Sequence, residues 1–223
     1  MNNKNKQNIN TLDYWNIRFS SGDWASHGGY SQTRLFAEAQ LPLLHIAADF
    51  NGRICDFGCG AGDAFPVYHQ AWSHAKLLGI DFSSPAIEIC SKRFGHMAEF
   101  VCGDIHAVPK VDIIICSNVL EHLDNDAAVV EQLLEQCKTL YVIVPFKEHP
   151  LSSEHIRDYN TNSFSDFPVI RKVIFKSRGW TEFGIRTIAG IYVKNIFRYL
   201  TKQPVHRRRL QILFEISSNF NGV

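Results

Sequence analysis

The sequence predicts a doubly wound α/β domain: a mostly parallel, seven-stranded sheet with helices on both faces and an N-terminal helical cap. Three observations carry this. From Arg53 onward, short β-rich runs alternate with helical patterns. Several runs are continuously apolar, as in Ile113-Ile114-Ile115-Cys116. Strands covered on both faces read that way, whereas a strand with one wet face alternates. The first run ends in Gly58-Cys59-Gly60-Ala61-Gly62, a turn from strand into helix.

Taken in order, Ser31 to about Ile46 reads as a helix interrupted by Pro42. Arg53–Phe57 is the first strand, followed by the glycine turn and a helix through about Trp72. Lys76–Asp81 is the second. The next helix opens with Ser84 as N-cap and Pro85 at its first position, and carries Ile87, Cys90 and Phe94 on one face. Glu99–Cys102 is a short third strand. Val111–Cys116 is the fourth, entered by Asp112. Asp124 to Cys137 reads as a helix with Val129, Val130, Leu133 and Leu134 inward, and Thr139–Val144 is the fifth strand. The tail adds Val169–Lys176 as a strand and Ile188–Leu200 as a helix. It closes on a strand at Leu210–Ser217, with Ile212, Phe214 and Ile216 facing away from Leu213.

With 223 residues, the chain suits one large domain over 11–223 behind a frayed polar tail, 1–10. Within it, 11–50 forms the cap, 51–146 the core, and 147–223 the substrate-side segment and last strands. Lys plus Arg is 23 against 22 for Asp plus Glu, so charge alone does not suit the chain to a nucleic acid. No apolar run reaches the roughly 18 residues of a membrane helix. The polar start carries no export signal, so a cytoplasmic location is expected. The six cysteines form no C-x-x-C pair and read as small buried apolar residues.

The glycine loop, Asp56-Phe57-Gly58-Cys59-Gly60-Ala61-Gly62, lets the backbone approach a ligand closely. It departs from the dinucleotide pattern G-x-G-x-x-G, because the third small position is Asp63. A carboxylate there repels a pyrophosphate. Asp81 closes the second strand, where an acid can accept from both hydroxyls of a ribose. Asp104 follows the third strand and could accept from an exocyclic amine, with Ile105 as an apolar wall. Three acids at the carboxyl edge of one sheet point to a shared site, although each could serve as a turn residue.

With these residues in place, the chain resembles the class I S-adenosylmethionine-dependent methyltransferases, which are Rossmann-like. The likeness runs from Tyr14 to the last strand. Val111-Asp112-Ile113-Ile114-Ile115-Cys116-Ser117-Asn118-Val119-Leu120-Glu121-His122 is similar to the family's fourth strand and its end. The Leu-Glu-His ending is shared with quinone-biosynthesis O-methyltransferases. The leader Tyr14-Trp15-Asn16-Ile17-Arg18-Phe19, with Asp23-Trp24 and Gln32-Thr33-Arg34-Leu35-Phe36-Ala37, resembles bacterial glycan and natural-product methyltransferases.

The resemblance implies S-adenosyl-L-methionine as cofactor and S-adenosyl-L-homocysteine as product. It implies that Asp56, Gly58 and Gly60 meet the methionine end, that Asp81 holds the ribose, that Asp104 and Ile105 lie at the adenine, and that Cys59 and Phe82 also bind the cofactor. Ser117 and Asn118 would offer backbone carbonyls. Arg34 is placed to grip the methionine carboxylate, as arginine pairs well with carboxylates; a solvated helix position is the other reading. Tyr14, Trp15 and Trp24 could form an aromatic lid over the sulfonium or simply core.

Base candidates cluster after the fifth strand. His155, in Glu154-His155-Ile156-Arg157, resembles a Glu-His pair of the family, and His149 is second. Tyr14, Trp15, Glu154, Arg157 and Tyr159 are substrate candidates. So is His122, which could instead cap the next helix. Asp124 and Asp126 read as acids near a helix N-terminus, and no metal is expected. The run His206-Arg207-Arg208-Arg209 is either a patch for a phosphorylated substrate or a solvated turn.

The expected activity is methyl transfer to a small molecule, at a sugar, sugar-linked or phenolic oxygen, with a histidine base. The alternatives are N-methylation of an amino sugar or other small amine, a nicotinamide-cofactor oxidoreductase, and a non-catalytic cofactor-binding protein. A monomer or homodimer is expected.

Overall fold

The computed structural model describes residues 9–177, 184–202 and 210–218. Helices α1 (Leu12–Ser20), α2 (Asp23–Ser26) and α3 (Gly29–Gln40) precede strand β1 (Arg53–Phe57). Then come α4 (Phe65–Ala71), β2 (Lys76–Asp81), α5 (Ser84–Phe94), β3 (Glu99–Cys102) and β4 (Ile113–Ser117). The chain continues through α6 (Asp126–Gln136), β5 (Thr139–Pro145), β6 (Val169–Lys176), α7 (Gly184–Leu200) and β7 (Leu210–Ser217). The seven strands form one sheet in the order β3-β2-β1-β4-β5-β7-β6. The pairs from β3 through β5 are parallel, and β7 is antiparallel to both β5 and β6.

Continuous apolar runs make sense in this frame, because two cores cover the two faces. On one, Cys55, Phe57, Ile114, Cys116, Leu140, Val142, Ile212, Phe214 and Ile216 pack with Val130 and Leu133 of α6. On the other, Ile54, Ile113, Ile115, Tyr141, Ile143 and Leu213 pack with Phe65 and Tyr68 of α4 and Ile87 and Cys90 of α5. Side chains alternate along each strand, so successive apolar residues feed opposite cores. Edge strand β6 is covered on one side only and leaves Ile170 and Ile174 exposed.

Several expectations shift by a residue or two. The N-cap of α5 is Ser83, and Ser84 is already helical, with Pro85 behind it. Strand β4 starts at Ile113, because Asp112 works as a junction. Its Oδ2 accepts from the Arg53 N–H at 2.9 Å, its Oδ1 from Lys138 Nζ at 2.7 Å, and its carbonyl from the amides of Lys138 and Thr139. Helix α3 ends at Gln40, and the segment with Pro42 tightens into a 3-10 turn, Leu41–Leu43. Five cysteines are buried as expected, but Cys102 is exposed, because β3 is the other edge strand. No helix among the described residues is long and apolar enough to cross a membrane. The His206–Arg209 run lies outside the described residues.

Candidate active site

A cavity of about 860 Å³ opens at the carboxyl ends of the parallel strands, where strand order reverses between β1 and β4. Its floor is the loop after β1. Gly58, Gly60 and Gly62 have φ of 76°, 54° and 79°, a region L side chains rarely adopt. Space is as tight as the torsion: a Cβ on Gly58 would sit 2.3 Å from Cγ2 of Val119. The loop is tied to the neighbouring strand, with the amides of Gly58 and Cys59 both donating to the Ile80 carbonyl, at 2.8 and 3.1 Å.

Acids surround this floor. Asp81 is buried at the end of β2. Its Oδ2 accepts from the Gly60 N–H and its Oδ1 from the Ser83 N–H, each at 2.9 Å. Burial pushes its carboxyl up to about 6, although both amides pull the other way. Burial, and then the neighbouring Asp81 charge, push Asp56 up to about 7. Asp104 also lines the cavity, and its Oδ1 caps the short turn Ile105–Ala107 by accepting from the His106 N–H at 3.0 Å. Asp63 does not face a helix end as a bare charge. It makes two hydrogen bonds with Arg93, at 2.7 and 3.0 Å, outside the cavity lining. The acids that line the cavity are Asp56, Asp81 and Asp104 rather than Asp63.

The end of β4 is held in place by a polar network. Asn118 adopts φ 56°, and its Oδ1 accepts from Gln211 Nε2 at 2.7 Å. Gln40, buried at the end of α3, donates to Ser117 Oγ at 2.9 Å and to Gln211 Oε1 at 3.1 Å. The network joins α3, β4 and β7, three elements distant in sequence.

The roof is the N-terminal cap. Trp15, Phe19 and Trp24 pack on one another with ring centroids 5.5 to 6.3 Å apart, and all three line the cavity together with Tyr14. The cap is clasped to the loop after β5 through Glu154. Tyr14 Oη donates to Glu154 Oε1 at 2.6 Å, Arg18 Nε lies 3.2 Å from the same oxygen, and Asn10 Nδ2 donates to the Glu154 carbonyl at 2.7 Å. Burial and the hydrogen bond to Glu154 push the Tyr14 phenol up to about 12.

A cluster of imidazoles and carboxylates lines the same cavity. His155 is buried. Its Nδ1 bonds Glu148 Oε2, and its Nε2 lies 3.9 Å from Oε1 of the buried Glu121. His122 packs edge-to-face on both His155 and Trp15, with centroids 5.0 and 5.3 Å away. Its Nδ1 lies 3.3 Å from the Glu154 carbonyl. A carbonyl can only accept, so this nitrogen carries the proton. Burial, reinforced by the charge of His155, lowers His122 to about 4.

The structure thus brings ten of the eleven expected cofactor residues to one cavity: Asp56, Gly58, Cys59, Gly60, Asp81, Phe82, Asp104, Ile105, Ser117 and Asn118. It adds Tyr14, Trp15, His122, His149, Glu154 and His155. Three expected residues stay out. Arg34 is exposed and reaches along α3 toward Glu38, 3.5 Å away; the guanidinium that does line the cavity is Arg18. Arg157 is spent on Asp126 and on the carbonyls of Leu123 and Asp124, and Tyr159 is buried with its hydroxyl on Asp126. Both therefore pin the loop to α6. His122 does not cap α6, whose N-cap is Asn125. Arg18, Gln40, Glu121, Glu148 and Gln211 escaped the sequence reading. Glu121 had a signal, since it precedes His122 in the Leu-Glu-His ending.

The fold is that of the class I methyltransferases. Residues 54–140 match the family described as "Methyltransferase domain". Two relatives are trans-aconitate 2-methyltransferases. That of Azoarcus sp. (strain BH72) is 23% identical over 99 residues, covering 43% of this chain and 39% of the relative. That of Yersinia pseudotuberculosis serotype O:1b (strain IP 31758) is 36% identical over 64 residues, covering 29% and 24%. The chain therefore spans well under half the length of either. Among solved structures, the plantazolicin methyltransferase BpumL in complex with SAH is similar at a TM-score of 0.58, with 18% identity, over 91% of this chain and 93% of that one. The putative methyltransferase complexed with the Trm112 activator of Haloferax volcanii is similar at 0.65, with 15% identity, over 92% and 97%. At these identities the structures speak for the fold.

Proposed function

We propose that this protein transfers a methyl group from S-adenosylmethionine to an oxygen of a small molecule, a sugar, sugar-linked or phenolic hydroxyl. The observation that carries the reading is one cavity with two chemically different walls. On one wall, a glycine cradle is ringed by Asp56, Asp81 and Asp104. Carboxylates suit the donors of this cofactor, which are an ammonium, a ribose diol and an exocyclic amine, and oppose a pyrophosphate. A Cβ on Gly58 would meet the Val119 side chain, so the glycine keeps the loop packed against the end of β4. On the other wall, His155 is held between Glu148 and Glu121.

Asp81 would hold the ribose, Asp104 and Ile105 the adenine, and Asp56 the ammonium. Arg18 would face the carboxylate, in the role expected of Arg34. The cofactor supplies an electrophilic methyl group on a sulfonium. The aromatic roof of Trp15, Phe19 and Trp24 excludes water and offers ring faces to a positive charge. His155 takes the acceptor proton at Nε2, because the Glu148 carboxylate accepts from Nδ1–H and so fixes the tautomer. The Glu154 clasp sets how far the cap stands from the acceptor.

The test is calorimetric binding of S-adenosylmethionine and S-adenosylhomocysteine with NAD as control, followed by an acceptor screen with sugars, phenols and amines. Micromolar binding of the first two without NAD, and turnover of hydroxyl acceptors, is the expected outcome. Tight NAD binding would overturn the cofactor assignment, and turnover restricted to amines would overturn the oxygen assignment.

A further inference from the structure

Glu121, His122 and His155 form more than a base and its neighbours. One ligand atom from each lies within 4.8 Å of the others. The residues come from two distant places: Glu121 and His122 follow β4, while His155 lies in the loop after β5. A backbone bond fastens the two segments, with the Ile156 N–H donating to the Glu121 carbonyl at 2.9 Å. We propose that this cluster is a binding site for a divalent transition-metal ion, held by two imidazoles and one carboxylate, with its remaining positions open to the cavity.

Four observations support this. The donor set is a common one for zinc, manganese or iron, and differs from the all-oxygen sets of magnesium and calcium. The spacing is close to what an ion needs. Ligands at about 2.1 Å and tetrahedral angles stand about 3.4 Å apart, and Glu121 Oε1 lies 3.9 Å from His155 Nε2, so a side-chain adjustment of about half an ångström brings this pair to ligand spacing. Both imidazoles also carry the outer support that metal-binding histidines have. Glu148 accepts from His155 Nδ1, and the Glu154 carbonyl accepts from His122 Nδ1–H. Each tautomer puts its lone pair on Nε2. Finally, all three residues line the cavity, so the ion would meet a ligand rather than be sealed in the core. Three protein ligands with open positions describe a catalytic rather than a structural metal site.

What the ion would do rests on the methyl-transfer reading; its binding does not. An acceptor hydroxyl coordinated there is acidified and loses its proton to solvent. In that state His155 is a metal ligand instead of the base, and the acceptor class narrows to oxygen compounds able to coordinate, such as vicinal diols, hydroxy acids or catechols.

The experiment uses tag-free full-length protein, stripped with a chelator and dialysed. Manganese binding is read by electron paramagnetic resonance and zinc binding by calorimetry, with magnesium as a hard-cation comparison. S-adenosylhomocysteine binding is measured on the same samples. The expected result is one equivalent of manganese or zinc bound at micromolar affinity or better. Binding falls more than tenfold in His155→Ala and in His122→Gln, and 10- to 100-fold in Glu148→Gln. It is unchanged in Asp112→Asn, where the acid is remote. Retained S-adenosylhomocysteine binding shows that each variant is folded. Wild type that binds S-adenosylhomocysteine but neither metal overturns the inference and leaves the methyltransferase reading intact. So does metal binding indifferent to both histidine variants. Metal binding without S-adenosylhomocysteine binding leaves the site standing and overturns the methyltransferase reading instead.

Discussion

Replacing Asp81 with Asn tests the cofactor wall and the electrostatics of the site in one protein. Asp81 is fully enclosed, and its carboxyl is raised from 3.8 to about 6. An acid raised on folding favours the folded state at low pH. That stability is fully present below the unfolded pKa and is lost as pH rises through the folded one. A shift of about two pH units corresponds to roughly 3 kcal/mol, of which about 1.5 kcal/mol falls between pH 5 and pH 8. Asn carries no charge and removes this slope. It also leaves one of the two amides, of Gly60 or Ser83, without its acceptor, at a cost of about 1–3 kcal/mol at every pH. The two variants therefore have similar stability at pH 8, but the difference between them changes with pH. Urea unfolding of ligand-free wild type and Asp81→Asn, at half-unit steps from pH 5 to pH 8, reads that difference. It should shift by about 1.5 kcal/mol in favour of the variant as pH rises. Parallel stability profiles would refute the claim that burial strains this carboxylate. At pH 8 the variant should also bind S-adenosylhomocysteine about 100-fold more weakly, the loss expected when charge-assisted bonds to two hydroxyls are replaced by neutral ones. Equal affinity would refute the ribose assignment.

Gly58→Ala should lose cofactor binding and about 2–4 kcal/mol of stability, from a left-handed φ of 76° and a Cβ driven against Val119; a thermal melt and calorimetry check it. Arg34→Ala should leave S-adenosylhomocysteine affinity within threefold, while Arg18→Ala should lower it at least tenfold, because Arg18 lines the cavity and Arg34 does not; the reverse order in calorimetry would restore Arg34 to the site. Arg93→Ala strands the buried Asp63 carboxylate and should cost about 2–3 kcal/mol at pH 8, read by urea unfolding, and less at pH 5, where Asp63 can take up a proton. Once an acceptor is found, His155→Ala should lower kcat 100- to 10,000-fold, with S-adenosylhomocysteine affinity unchanged.

The features local in sequence were legible in it. Continuous apolar runs marked β4 and β5 because a strand in this sheet feeds two cores, so successive residues are apolar. The alternation of Ile212 and Leu213 identified which core each would join. The glycine loop and Asp81 could be read because a strand-to-helix turn and a strand-end acid are set by neighbouring residues alone. The tertiary structure decided what depends on elements meeting across the chain. It turned Arg34 outward and Arg18 inward, since the face of α3 that packs on the domain is set by Ala37 and Gln40. It consumed Asp63 on Arg93, thirty residues away, and Arg157 and Tyr159 on Asp126. It also gathered Glu121, His122, Glu148 and His155. Separation along the chain hides such a group, because a charged or imidazole side chain carries no periodicity. Its chemistry emerges only when two loops are fastened side by side at the carboxyl edge of the sheet.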